Sequence, residues 1–142
     1  MLKGVIFSLR DVLAKRGPID AALLGETLKL LKFLKHRRVV PVFASNHDWI
    51  VTNDKTGKQQ NFQKIIENKL GPVSFYRAGK NGMPFKPKAA AVDHILATQG
   101  WGKREVLFVG NSDNDMRAAR NGGVLFLECR LARRSQPLWL PI

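Results

Sequence analysis

KPKAAAVDHILATQGWGKREVLFVGNSDNDMRAARNGG, residues 86–123, is the stretch that decides the fold. Residues 78–85 ahead of it are rich in turn formers and read as a loop. From Lys86-Pro87 the chain passes into an alanine-rich run, 88–99, which reads as a helix stopped by Gly100. Residues 105–109 (EVLFV) then form a compact apolar run with strand-forming side chains. The polar, acidic GNSDND follows at once, and residues 115–121 read as a short helix built on small side chains. Helix, buried strand, acidic loop and second helix follow one another with no room for a linker.

The same alternation continues outward. Residues 4–9 (GVIFSL) and 39–44 (VVPVFA) read as strands, 73–76 as a weak strand and 124–128 as a last one. Pro41 counts against a central position for the second of these, because proline removes a ladder donor. Pro18-Ile19-Asp20 reads as a helix start with Asp20 as N-cap. In the helix that follows, to about Arg38, Leu24, Leu28, Leu31 and Phe33–Leu34 form a broad apolar stripe. Residues 53–57 read as a turn, and 59–70 as a helix ended by Gly71-Pro72. Strands alternating with helices predict an α/β fold: a Rossmann-like, doubly wound parallel sheet of about five strands with helices on both faces. Near-continuous apolar strands fit burial on both sides. Ligands of such sheets sit beyond the carboxyl ends of the strands, so the residues just past each strand are the informative ones.

Composition narrows the class. The 142 residues predict one domain, 1–142, with an irregular basic tail over about 129–142 that docks on the domain or continues into a longer chain. The lone Cys129 excludes an internal disulfide and a thiolate-rich zinc site. No apolar run approaches the ~20 residues that cross a bilayer, and the first is too short for a secretory signal. A cytoplasmic protein with no membrane partner is the expectation. Charge is the unusual quantity: 24 Lys and Arg against 11 Asp and Glu give a formal +13. Such a balance attracts polyanions, nucleic acid first. No zinc finger or aromatic stacking platform accompanies it, and Trp49, Trp101 and Trp139 are scattered.

Four positions past the strands carry chemistry: Ser8 to Leu13, Ser45-Asn46, Lys86-Pro87, and Gly110 to Asp115. In order and spacing they resemble the motifs of the haloacid dehalogenase (HAD) superfamily of phosphohydrolases, over nearly the whole chain from Gly4 to about Glu128. The resemblance implies the Rossmann-like sheet and, given the short interval after Ser45, a member without a large cap. The family's first motif, Asp-x-Asp-Gly-Thr-Leu, supplies a nucleophile that also helps hold Mg²⁺, then a general acid/base. At those places stand Ser8 and Arg10. Ser45 matches the phosphate-binding residue of the second motif, and Lys86 the lysine of the third. In the fourth motif Asn111 replaces the first metal-binding aspartate and Asp115 matches the second.

These departures imply a degenerate centre, a pseudophosphatase. A serine hydroxyl without a base does not replace a carboxylate nucleophile. Mg²⁺ seeks hard anionic oxygens in near-octahedral array. Two lost carboxylates and the added Arg10 cation oppose it, each charge at ~4 Å being worth about 4 kcal/mol at an effective dielectric of ~20. Arg10, Ser45, Asn46 and Lys86 remain as a cradle for a phosphate group, with no cofactor. The expected role is a non-catalytic phosphate-, nucleotide- or polyanion-binding or scaffold module, with a phosphorylated small molecule, nucleic acid or a further domain or protein as partner. The alternatives are a weak or unusual phosphohydrolase using Asp115, Asp11 or His47, which would need Mg²⁺ at Ser8, Asn111 and Asp115, and a basic nucleic-acid-binding module. Asp113 and Asp115 also suit a helix N-terminus on electrostatic grounds alone. His36 is expected to be exposed and His94 structural.

Overall fold

The computed structural model describes residues 1–8, 18–19, 21–46, 50–53, 56–83 and 89–129. Five strands build the main sheet: β1 (Gly4–Ser8), β3 (Val40–Ser45), β6 (Ser74–Arg77), β7 (Val106–Gly110) and β8 (Leu125–Glu128). Their spatial order is β6-β3-β1-β7-β8 and every pairing is parallel. All five residues of β1 are buried, as a strand flanked on both edges and covered on both faces requires. The doubly wound α/β architecture expected from the alternation is the one observed. Among the described residues no helix is long and apolar enough to cross a membrane.

Alternation along β1 and β3 sorts the core into two layers. Val5, Phe7 and Phe43 point to one face, where they meet α1 (Ala21–His36) and α2 (Phe62–Leu70) through Leu31, Leu34, Phe62 and Ile66. Phe33, two residues past Leu31 and so turned to the other side of the helix, is exposed, which corrects its place in the apolar stripe. Ile6, Val42 and Ala44 point to the other, against α3 (Ala89–Gln99) and α4 (Asp113–Gly122). Phe43 is fully buried at the centre of the first layer. Its ring lies 4.6 Å from Phe75, 5.9 Å from Phe7 and 6.2 Å from Phe62. On the other layer Gly122 lets α4 approach α3, since a Cβ there would sit 2.6 Å from Val92 Cβ.

Pro41 lies inside β3, a strand with neighbours on both sides, so the expectation that proline argues against a central strand is corrected. Val40 donates its N–H to Lys3 O, on the β1 side, at 2.9 Å. Successive residues face opposite neighbours, so the donor that Pro41 lacks would point toward β6. Pairing with β6 begins only at Val42 with Ser74, one residue later, and no bond is forfeited.

Two local readings shift. The helix expected from residue 59 starts at Phe62, because Gln59–Asn61 is β5, paired antiparallel with β4 (Ile50–Asn53). Asn61 is both the end of that strand and the N-cap of α2, its Oδ1 accepting from Lys64 N–H at 3.2 Å. With β2 (Pro18–Ile19) these strands form a second, three-stranded sheet, which the turn at 53–57 only hinted at. The helix expected from Asp115 begins at Asp113, capped by Ser112. Asp20, as a helix cap, lies outside the described residues.

Ahead of β7, Lys3 reaches Glu105 at 2.8 Å and Gly102 N–H donates to Glu105 Oε1 at 2.7 Å. The Lys3 ammonium and the Gly102 N–H hold the Glu105 carboxyl below the ordinary glutamate range. This exposed pair aligns the amino ends of β1 and β7 and adds little stability.

Candidate active site

The described residues bury four polar or charged side chains in all, Ser8, Thr27, Ser45 and Asp115. Thr27 belongs to α1, and the other three gather at the carboxyl end of the main sheet. Parallel register explains the gathering. Ser8 pairs with Ala44, next to Ser45, and the last β1–β7 pair, Phe7 with Val109, sets Ser8 beside Gly110. The chain leaves β7 through Asn111 and Ser112 and turns into α4. Burial of polar groups at a strand end is costly unless they are bonded, and for Asp115 the bonds are supplied locally.

Asp115, 2% exposed, shows how. Its N–H donates to Ser112 Oγ at 3.1 Å, the N-cap bond of α4, and its Oδ2 accepts from Asn111 N–H at 3.3 Å. The carboxylate therefore folds back over the end of β7. Gly110 makes room for it: a Cβ there would lie 2.6 Å from both Asp115 Cβ and Oδ2. Gly110→Ala is expected to cost about 1–3 kcal/mol of stability by overpacking, because the obstacle is a buried, bonded side chain. Urea unfolding that shows no change of midpoint would refute this packing account.

Of the residues singled out in the sequence, Ser8, Ser45, Asn46, Asn111 and Asp115 come together at this end. Arg10 and Lys86, with Asp11 and His47, lie outside the described residues. Asp113 is exposed in the first turn of α4, where its charge favours the helix N-terminus. His36 is exposed, while His94 is half-buried and meets Tyr76 edge-on at 5.9 Å. The sequence reading missed Arg77, which ends β6 in register with Ser45 and brings a guanidinium to the same end. It missed Glu128 likewise, the last residue of β8, in register with Gly110. Looking one residue past each expected strand, the rule already in hand, finds Arg77.

The described side chains at this end thus offer two hydroxyls, the amides of Asn46 and Asn111, the Arg77 guanidinium, and the Asp115 and Glu128 carboxylates. Among the described residues no group of three or more His, Cys, Asp or Glu could hold a metal ion. Hydroxyls, amides and cations are the groups that meet a phosphate; a divalent cation asks for more anionic oxygen than this.

The family model of the haloacid dehalogenase-like hydrolases matches residues 9–123. No curated protein sequence matches the chain. Among solved structures, the chain is 25% identical to a HAD-superfamily hydrolase, subfamily IA, from Geobacter sulfurreducens, with a TM-score of 0.51. That match covers 73% of this chain and 43% of the other, so the chain spans less than half of that hydrolase. An uncharacterized protein from Corynebacterium glutamicum is 19% identical with a TM-score of 0.65, over 90% of this chain and 85% of that one. A D,D-heptose 1,7-bisphosphate phosphatase from B. bronchiseptica, solved with magnesium and phosphate, is 17% identical with a TM-score of 0.62, over 99% and 91%. The last two likenesses are of fold. With the family model spanning most of its length and the five-stranded parallel sheet in place, the chain belongs to the haloacid dehalogenase-like hydrolases.

Proposed function

We propose that this domain binds a phosphate group at the carboxyl end of its sheet, without a metal ion and without turning the ester over. The observation that carries the reading is the buried polar trio at the strand ends, of which Asp115 alone is a carboxylate. Ser8 stands where the family keeps its nucleophile, Arg10 at the acid/base position and Asn111 at a metal ligand. Ser45 and Asn46 donate hydrogen bonds to the phosphate oxygens. Arg10 and Lys86 offset its charge, the guanidinium pairing with two oxygens at once. Mg²⁺ does not fit this donor set, and no step is routed through it. Absent general acid/base help alone removes roughly 10²–10⁴ in rate.

The rival reading, a weak phosphohydrolase, draws on the retention of Asp115 in its bonded, buried place. Assays of a chromogenic phosphate monoester with and without Mg²⁺ separate the two. We expect no turnover above the uncatalysed rate, and inorganic phosphate binding that EDTA leaves unchanged. Mg²⁺-dependent turnover that Asp115→Ala abolishes would overturn the non-catalytic reading. Binding of nucleic acid that weakens steeply with salt, and that free phosphate does not compete away, would assign the +13 charge to an exterior surface instead.

A further inference from the structure

We propose a second ligand site, which adjoins the strand-end cradle at Arg77 and runs from there along the outer edge of β6, and we assign it to a small organic phosphate with a polar body. The cavity is about 500 Å³, within the range of ligand pockets. Its floor is the whole of β6, an edge strand paired only with β3. The walls come from the β4–β5 hairpin and the start of α2 on one side and α3 on the other.

Three observations point to the ligand. The first is charge: among the described residues the lining holds the cations Arg77 and Lys80 and no carboxylate, so the cavity favours an anion. The second is a rigid turn that carries one of the cations. Lys80 N–H donates to Arg77 O and Met83 N–H to Lys80 O, both at 3.0 Å, while Gly79 N–H donates to Met83 O at 2.8 Å. Gly79, Asn81 and Gly82 all take positive φ to close it, and the buried Met83 pins it to the core. Lys80 and Asn81 are thereby presented together at the Arg77 end of the cavity. The third is a hydrogen-bonded wall of fixed direction. Gln99 Nε2 donates to Tyr76 Oη at 2.8 Å, and Thr98 Oγ1 donates to Ile95 O at 3.1 Å. Thr98 has then spent its proton, so the 2.6 Å contact between the two hydroxyls is donated by Tyr76. The chain of donors fixes the wall before any ligand arrives. The cations Arg77 and Lys80, with the polar side chains of Asn61, Gln63 and Ser74 in the same lining, suit a phosphate joined to a sugar or nucleoside body.

The test is calorimetric titration of the full chain with AMP, ribose 5-phosphate, inorganic phosphate and adenosine. AMP or ribose 5-phosphate should bind more tightly than inorganic phosphate, and adenosine should not bind. Lys80→Ala should weaken the phosphate ester roughly tenfold, the scale of one charge-assisted hydrogen bond, and Lys80→Glu should weaken it further. Ser45→Ala should weaken inorganic phosphate at the cradle and retain the phosphate-ester binding that Lys80→Glu removes, which separates the two sites. Equal affinity in wild type and both Lys80 variants overturns the site, as does equal binding of AMP and adenosine. Binding lost in Ser45→Ala but kept in Lys80→Glu assigns the ligand to the cradle and overturns the second site alone.

Discussion

Replacing Ser8, Arg10 and Asn111 together by aspartate should turn the strand-end cradle into a Mg²⁺ site. The substitutions remove one positive charge and install three negative ones, those at 8 and 111 at the same strand end as the buried Asp115 carboxylate. A unit charge at ~4 Å is worth about 4 kcal/mol at an effective dielectric of ~20. Discounted to about 1 kcal/mol each for solvent, four units still correspond to roughly a 10³-fold gain in affinity. Calorimetry with MgCl₂ reads the gain directly. Without metal the triple variant should be less stable than wild type, because Ser8 is buried and an aspartate there is desolvated among like charges. Added Mg²⁺ should raise its melting temperature and leave the wild type's unchanged, since a ligand of the folded state stabilises it by mass action. A triple variant whose melting ignores Mg²⁺ would refute the positional match of residues 8, 10 and 111 to the family's carboxylates.

Phe43→Ala should be the most damaging single truncation, at about 3–5 kcal/mol. The ring is fully buried and meets three other aromatic rings, from β1, α2 and β6. Removing it opens a cavity between the sheet and the helix layer that rigid strands cannot collapse into. Denaturant unfolding measures the loss. Phe33→Ala is the control: that ring is 55% exposed and meets the Arg37 guanidinium at 5.2 Å from its centroid, so its loss should stay below about 1 kcal/mol. Similar costs for the two would mean that burial in the first layer is not what holds the sheet to α1 and α2.

The sheet was legible because its strands are apolar runs buried on both faces, and such runs need no neighbour to be recognised. The hairpin of β4 and β5 was not, since Gln59-Gln60-Asn61 is polar and flows into α2 without a break. Only pairing with Ile50–Asn53 makes it a strand, and pairing is a long-range fact. Pro41 was misjudged for a related reason: its cost depends on which neighbour its nitrogen faces, and composition does not say. The placement of Ser8, Ser45 and Asp115 at the carboxyl end of the sheet was legible, because each stands at or just past an apolar strand. The need for Gly110 was not, because it arises from the fold-back of the Asp115 side chain from five residues further on. Arg77 was within reach of the strand-end rule once β6 was allowed one more residue.

β1 pairs with residues 40–44 on one edge and with 106–109 on the other. During synthesis the first partner emerges early, but the second must wait for more than sixty further residues. At roughly 5–20 residues per second that interval is on the order of several seconds. Throughout it the innermost strand of the finished protein is an open, largely apolar edge, the kind of surface that nascent-chain chaperones cover and that mispairs when they do not.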